Sequence, residues 1–491
     1  LGIPVERFVL EPPAREFGAA LPVTFVAGAS VAASDPAGGA PPSGARTVLA
    51  GDLDGDQRPD LARLVTGSSP SSPVAVEIRL ASGGFEPRIL GRSAGLVTLQ
   101  PADLDQDGRI DLVASGPAGA VRFRAGAAGF TVWPAAAGEL PIRGSALTVL
   151  DFDLEGDLDL ALAGAGAPAG ELWRSAAPDA LVAVGSQVLP RMALGGVRRL
   201  LTSDLDRDGD PDLLAVGDAG LLWLDNLRQG RFADRTQAAK LAAIGPLFDA
   251  ASADLDADGR PDLVLAGPEG LRLLRNEGGT FAPWPVAGLP AGRCDAVLAF
   301  DADNDGRLDL ALAGPGGVVV LGLRGPLAAP RFELLPVTGS SGARTALASA
   351  DLDGDGDLDL VAVGPTGLAR FENRGGNGNH WLAVRLRGLE QGNGKNDRLG
   401  YGATVELRRG AAYQFREVDD EVTHFGLGSR PSADTLRIVW SNGVPQNRLA
   451  PRGDQRIVEE QVLKGSCPFL YAWTGERFEF VTDLLWNSPL G

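Results

Sequence analysis

The chain has 491 residues, 44% hydrophobic and 22% charged, a globular composition too long for one core unless that core repeats. A formal net charge of −18 argues against binding nucleic acid through phosphate contacts. No run approaches the roughly 18 uninterrupted apolar residues of a membrane span.

The first segment, residues 1–47, starts at Leu1 with neither a Met nor a signal-like stretch, which reads as a processed or trimmed product. It holds strand-like pieces at Arg7–Leu10 and Leu21–Val26. From residue 48 to 373 one unit recurs: an apolar strand, an acidic loop Asp-x-Asp-x-Asp-Gly-x-x-Asp, and a second strand such as Asp262-Leu263-Val264-Leu265-Ala266. A Gly-Pro turn follows at Gly116-Pro117, Gly267-Pro268, Gly314-Pro315 and Gly364-Pro365, then two more short strands. The loops begin at Asp52, Asp103, Asp151, Asp204, Asp254, Asp301 and Asp351, spaced by 51, 48, 53, 50, 47 and 50 residues. Four short strands at a period near fifty, with Gly (67) and Pro (35) abundant, predict an all-β, seven-bladed β-propeller. The seventh repeat lacks a fourth strand, since Phe371-Glu372-Asn373 runs into Gly375-Gly376-Asn377-Gly378. An N-terminal strand is therefore expected to complete the last blade and remove an open edge.

Carboxylates at alternate positions of a tight loop converge on one point and repel unless a cation sits between them. Positions 1, 3, 5 and 9 supply them: Asp52, Asp54, Asp56 and Asp60; Asp103, Asp105, Asp107 and Asp111; Asp151, Asp153, Glu155 and Asp159; Asp204, Asp206, Asp208 and Asp212; Asp254, Asp256, Asp258 and Asp262; Asp301, Asp303, Asp305 and Asp309; Asp351, Asp353, Asp355 and Asp359. A hard dication with many oxygen ligands suits this donor set, calcium best, up to seven ions at one per blade. Four positions in seven loops take 28 of the 63 Asp and Glu residues, and seven dications would move the formal charge from −18 to about −4. The loops are not EF-hands, because position 12 is Ala114, Leu265 or Ala362 rather than Glu and the flanks are strands. Gln57 stands in loop one where the others have Gly, so a strained bend is expected. Glu155 is a longer arm expected to shift or weaken its ion. Asp157, Asp210 and Asp357 add a carboxylate at position 7, expected to face solvent.

After a linker at 374–379, residues 380–462 read as a separate small β domain with strands at Trp381–Leu386, Ala403–Leu407, Tyr413–Glu417 and Thr435–Trp440. Residues 463–491 look like the start of a further module that is cut short. Of the two cysteines, Cys294 and Cys467, neither belongs to a CxxC motif or a disulfide framework, and Cys294 reads as a buried apolar side chain. The two histidines, His380 and His424, are too few for a zinc site or a Ser-His-Asp relay, and His424 and Trp381 read as packing residues.

The Asp loops with their Gly-Pro turns resemble the FG-GAP/VCBS repeat, the blade of integrin α-subunit propellers. The resemblance implies calcium held at β-hairpin loops on one face of a seven-bladed propeller. Residues 379–447 resemble the ASPIC/UnbV domain found beside such repeats in cartilage acidic protein and its bacterial relatives. The carriers are Asn379-His380-Trp381-Leu382, Gly400-Tyr401-Gly402-Ala403, Arg416-Glu417-Val418, His424-Phe425-Gly426-Leu427-Gly428 and Trp440-Ser441-Asn442-Gly443. One departure stands out. The family has a longer Gly- and Ser-rich segment between the Arg-Glu pair and the HFGLG motif, here reduced to Val418–Thr423.

Sharper motifs weigh little. Gly91-Arg92-Ser93-Ala94-Gly95 spells a nucleophile elbow but sits between blades without a partner His, and Arg452-Gly453-Asp454 is a common tripeptide in a chain rich in these residues. Extracellular calcium modules bind at roughly 0.1–1 mM, so such sites would be empty in a cytosol. The favoured reading is a non-enzymatic, calcium-stabilised binding or adhesion protein, secreted, cell-surface or periplasmic, that recognises a protein or glycan through propeller loops. A carbohydrate-binding module, with Trp133, Trp223 and Trp284 as stacking candidates, is the alternative; a propeller-scaffold polysaccharide lyase or hydrolase ranks third.

Overall fold

The computed structural model describes residues 17, 19–27, 48–65, 74–93, 95–133, 142–165, 167–177, 180–190, 196–228, 230–327, 329–365, 367–389, 396–462, 469–475 and 478–483. The strand-like piece at Arg7–Leu10 and Cys467 lie outside them.

Six antiparallel four-stranded sheets follow one another along the chain, from Val48–Ser93 through Thr98–Trp133, Ala146–Ala183, Val197–Asp234 and Asp249–Pro283 to Ala296–Leu335. A seventh sheet contains Ala346–Ala350, Asp359–Gly364 and Gly367–Arg374. Its fourth strand comes from the other end of the chain: Thr24–Ala27 pairs antiparallel with Gly367–Arg374, placing Phe25 opposite Asn373. The same strand pairs in parallel with Val337–Thr338, so both its edges are used. Phe25 is fully buried against Phe300, with ring centroids 6.0 Å apart.

The first strand of each sheet touches the first strand of the next, and Val48–Gly51 touches both Thr98–Ala102 and Ala346–Ala350, which closes the ring. This is a β-propeller. Its second strands are buried at every position, as in Asp262–Gly267, because a neighbouring blade covers each face. That is why they read as continuous apolar runs rather than as alternating ones. In all seven blades the acidic loop joins first and second strands, so the seven loops gather at one end of the central channel.

The C-terminal domain is a two-sheet sandwich. One sheet orders Thr423–Gly428, His380–Arg387 and Gln455–Glu460; the other orders Ala412–Glu417, Thr404–Arg409, Thr435–Val439 and Pro445–Leu449. Leu382, Val405, Phe425, Leu436 and Trp440 fill the space between them. A hairpin at Phe469–Trp473 and Phe478–Asp483 follows.

Candidate metal loops and their cap

Loop five shows how an acidic loop is held. The N–H groups of Asp258 and Gly259 donate to Oδ1 and Oδ2 of Asp254, each at 3.0 Å. Asp262 Oδ2 accepts from Leu255 N–H at 3.2 Å, and its Oδ1 accepts from Asn276 N–H in the third strand at 2.9 Å. Asp60, Asp111, Asp159, Asp212, Asp309 and Asp359 repeat the position-9 arrangement, each tying loop to blade. The carboxylate at position 9 is thus also an architectural acceptor. Positions 4 and 6 both take left-handed backbone, from Ala257 (φ 58°) and Gly259 (φ 86°) in loop five to Asn304 and Gly306 in loop six. At position 6 of loop one, Gln57 adopts φ 69°, the strain foreseen from its side chain, of the order of 1 kcal/mol.

The fold brings together carboxylate oxygens of Asp52, Asp54 and Asp60, of Asp103, Asp105 and Asp111, of Asp151, Asp153 and Asp159, and of Asp254, Asp256 and Asp262, within 4.8 Å of one another in each group. In loop four the converging set is Asp204, Asp206 and Asp208. In loops one, two, three and five the converging triad is made of positions 1, 3 and 9. At position 5, Asp56, Asp107 and Asp258 accept the N–H of position 7, each at 2.9 Å, while Glu155 is exposed.

Burial raises many of these carboxyls above their ordinary range. Desolvation comes first, then the neighbouring acids: Asp159 and Asp212 are pushed up to about 9, Asp262 to about 8, and Asp151 and Asp254 to about 7. Asp301 and Asp309, wholly enclosed, lie well above the usual value. Without a counter-charge such groups take up protons; a dication among them would displace those protons. Arginines from the third strand offset part of the charge, Arg124 at Asp105, Arg275 at Asp256 and Arg324 at Asp303 (3.0 Å). Each brings one positive charge to several negative ones.

The position-7 acids do not face solvent as expected. Asp210 is fully buried against Arg228 at 2.6 Å. Asp357 is buried too, accepting from Asn304 Nδ2 of the preceding loop at 3.0 Å, and Asp157 is partly buried. Blade-to-blade ties of this kind were not anticipated. Asn226, Asn276 and Asn373 donate through Nδ2 to the position-2 carbonyls of the preceding loops, Phe152, Leu205 and Ala302. The recurring Asp-Asn, Arg-Asn and Glu-Asn pairs after the third strand were the available signal.

The loop-bearing face is not open. The C-terminal domain sits on it and inserts the short Arg416–Thr423 segment at the channel mouth. Glu417 accepts from Ser203 Oγ at 2.6 Å and from Asp204 N–H at 2.7 Å. Glu421 accepts from Asp52 N–H at 2.8 Å and pairs with Arg385 at 2.6 Å. Gly426 N–H donates to Asp301 Oδ2 at 3.2 Å, and Arg456 Nη1 donates to the Gln57 carbonyl at 2.5 Å. Beneath lies a cavity of about 360 Å3, walled by first strands of the blades and by Glu417, Asp419, Asp420 and Glu421. The Val418–Thr423 segment is therefore the plug. His424 and Trp381 stack at 6.0 Å, and His424 Nε2 lies 3.2 Å from the Gly356 carbonyl. They pack as expected, but across the domain boundary. A Cβ on Gly356 would overlap the Trp381 indole, which explains glycine there beyond its φ of 94°.

Trp223 is buried and donates to Asp212, and Trp133 is buried beneath Arg122 (4.1 Å), so neither is a stacking platform, whereas Trp284 is partly buried against the core of blades five and six. The cap covers the acidic loops. Asp454 of the Arg-Gly-Asp tripeptide is tied to His380 Nδ1 at 2.6 Å and is not a free ligand loop. Ser93 is buried at the end of a strand rather than raised on an elbow, and Cys294 is buried, its thiol pushed up to about 12 chiefly by desolvation.

Comparison with family models places this geometry. The FG-GAP-like repeat matches residues 204–265 and 254–312, and ASPIC and UnbV matches residues 392–462. The chain carries FG-GAP-like repeats in a propeller followed by an ASPIC and UnbV domain. No curated protein matches it. Among solved structures, an Agrocybe aegerita lectin described as recognising non-reducing terminal N-acetylglucosamine is 19% identical with a TM-score of 0.43, over 64% of this chain and 88% of that one. A BBS1N–ARL6DN complex is 12% identical (TM-score 0.41, covering 73% and 97%), and a Photorhabdus luminescens Tc holotoxin pore is 14% identical (0.32, covering 80% and 22%). No ligand is carried over from these likenesses. No helix among the described residues is long and apolar enough to cross a membrane.

Proposed function

We propose that this chain is a calcium-stabilised, non-enzymatic binding or adhesion protein of the cell exterior or periplasm, its propeller loops holding calcium as a structural staple. The observation that carries this reading is the repeated convergence of three carboxylates, at least two of them buried in four of the loops. A buried anionic triad is tolerable when a dication or protons neutralise it, and oxygen-only donors select a hard ion. At about 1 mM calcium and a dissociation constant near 0.1 mM, each site would add roughly 1.4 kcal/mol.

The partner is a protein or glycan met by surfaces that the cap leaves open, the propeller rim and the face opposite the loops. With Trp133 and Trp223 buried, a protein partner is the favoured one. Titrating chelator-stripped protein with calcium in a calorimeter, alongside a melting scan, tests the metal. Several ions should bind and raise Tm by more than about 10 °C. Heat evolution at the level of buffer alone, with an unmoved Tm, would reject it.

A further inference from the structure

We propose that loop six takes no metal: the guanidinium of Arg324, with that of Arg307, fills the place of the dication, which makes this loop a calcium-independent anchor for the cap. The inference rests on the reading of the other loops as calcium sites and removes one loop from that set.

Loops five and six show the contrast. In loop five Arg275 meets Asp256 and Arg260 lies 3.6 Å from Asp258, from side chains 49% and 42% exposed. In loop six Arg324 Nη2 stands 3.0 Å from Asp303 Oδ2 and its Nη1 3.5 Å from Asp309 Oδ1, while Arg307 Nη2 lies 3.1 Å from Asp305 Oδ2. Both of these side chains are only 9% exposed. One guanidinium thus bridges positions 3 and 9, two of the three positions that gather in loops one, two, three and five. At the third, Asp301, Oδ1 accepts from Asp305 N–H (3.2 Å), and Oδ2 accepts from Gly306 N–H (2.8 Å) and from Gly426 N–H of the cap (3.2 Å). The two arginines bring the same formal charge as a dication, and a guanidinium does not give up its proton. An ion entering among these carboxylates would meet like charge in a buried site, where repulsion is screened least.

The sequence builds this exchange. Leu323 N–H donates to Asp309 Oδ1 as Asn276 N–H does to Asp262 Oδ1, so Gly322 occupies the place of Arg275. Arg324 follows two residues on, on the same face of the strand. A Cβ on Gly322 would stand 2.5 Å from Arg324 Nη2, so the missing side chain is what lets the guanidinium fold back into the loop. Arg324 Nη1 also donates to the Leu323 carbonyl at 3.1 Å, and Arg307 Nη1 to the Gly325 carbonyl at 2.7 Å, which fixes both groups. Other parts of the chain meet on this paired core. Leu21 N–H donates to Asp303 Oδ2 (2.9 Å), Asn379 Nδ2 to the Asp303 carbonyl (2.8 Å), and Gly428 N–H to the Asn304 carbonyl (2.8 Å).

The test is hydrogen exchange on the whole chain in calcium and in EDTA, with bound calcium counted by native mass spectrometry. Chelation should leave exchange at residues 301–309 and 426–428 unchanged and quicken it about tenfold or more at residues 254–262. With seven loops in the chain, the unaltered protein should hold six ions at most. Arg324→Ala should gain one ion, because Asp303 Oδ1 has no hydrogen-bond partner among the described residues and is free to ligate. Exchange at residues 301–309 should then depend on calcium. The comparison in the unaltered protein stands whether or not the variant folds. Seven ions in the unaltered protein, loop six loosened by EDTA like loop five, or a folded Arg324→Ala with the unaltered count each overturns the inference and leaves the other loops' calcium intact. Exchange indifferent to EDTA in every loop, with no calcium bound, rejects the wider reading instead.

Discussion

Carboxylates serve two regions of this molecule in different ways. In the propeller, loop five accepts hydrogen bonds from its own blade: Asp254 from residues four and five positions ahead, Asp262 from residues seven behind and 14 ahead. In the cap the same chemistry reaches across the chain, with Glu417 accepting from Asp204, 213 residues away, and Glu421 from Asp52, 369 away. A local bond survives repetition and writes a motif. A distant bond is made once, at a place set by how two domains dock, and leaves no periodic trace.

The largest test of the local half is ring closure. Removing residues 1–30 deletes Thr24–Ala27 and with it Phe25 from the core, and should cost at least about 5 kcal/mol, seen as a collapse of Tm in a thermal scan. A melting curve like that of the intact chain would show that the seventh blade closes without its N-terminal strand.

Next come the loops in chelator. Asp262→Ala strands two buried N–H groups, whereas Asp258→Ala removes an acceptor for one partly buried N–H, so the first should cost about 2–4 kcal/mol in urea unfolding and the second about 1. Equal costs would mean that position 9 matters only as a ligand.

In the distant half, Glu417→Ala leaves Ser203 Oγ and Asp204 N–H without their cap partner and should cost about 1–3 kcal/mol, with faster hydrogen exchange at residues 203–204. Unchanged exchange there would place the docking energy elsewhere.

The smallest effect is a pH slope. Burial, then the positive charges of Arg416 and Arg456, pushes His424 down to about 4 from 6.5, opposed by the Gly356 carbonyl. A ring whose folded pKa is lowered contributes in its neutral form: fully above about 6.5, and progressively less as pH falls towards about 4. His424→Gln should therefore flatten the loss of Tm between those limits by an amount corresponding to about 1–2 kcal/mol. Parallel pH profiles for the two proteins would remove His424 from the interface energetics.

Much of the propeller could be read from spacing. The seven Asp loops and the strands on either side follow from periodicity and turn residues. Within the loops, the fold gathers positions 1, 3 and 9 in loops one, two, three and five, and the position-5 carboxylates of Asp56, Asp107 and Asp258 also accept the chain's own N–H groups, which alternation alone does not reveal. The Asn ties between blades escaped notice, since an Asn after a strand is a turn residue by default and its reach to the preceding loop depends on how blades stack. Exposure was the weakest inference: Asp210, Asp357 and Trp223 are polar or amphipathic types that usually lie near the surface, and here neighbouring groups satisfy them inside.

The acidic loop repeat and the strand order were written in residues that touch near neighbours, and a repeat of near neighbours is visible to the eye. The capped loop face and the acidic plug in the channel arose when two separately encoded domains met. Their side chains are paired across hundreds of residues, where no spacing rule constrains them and only complementary surfaces do.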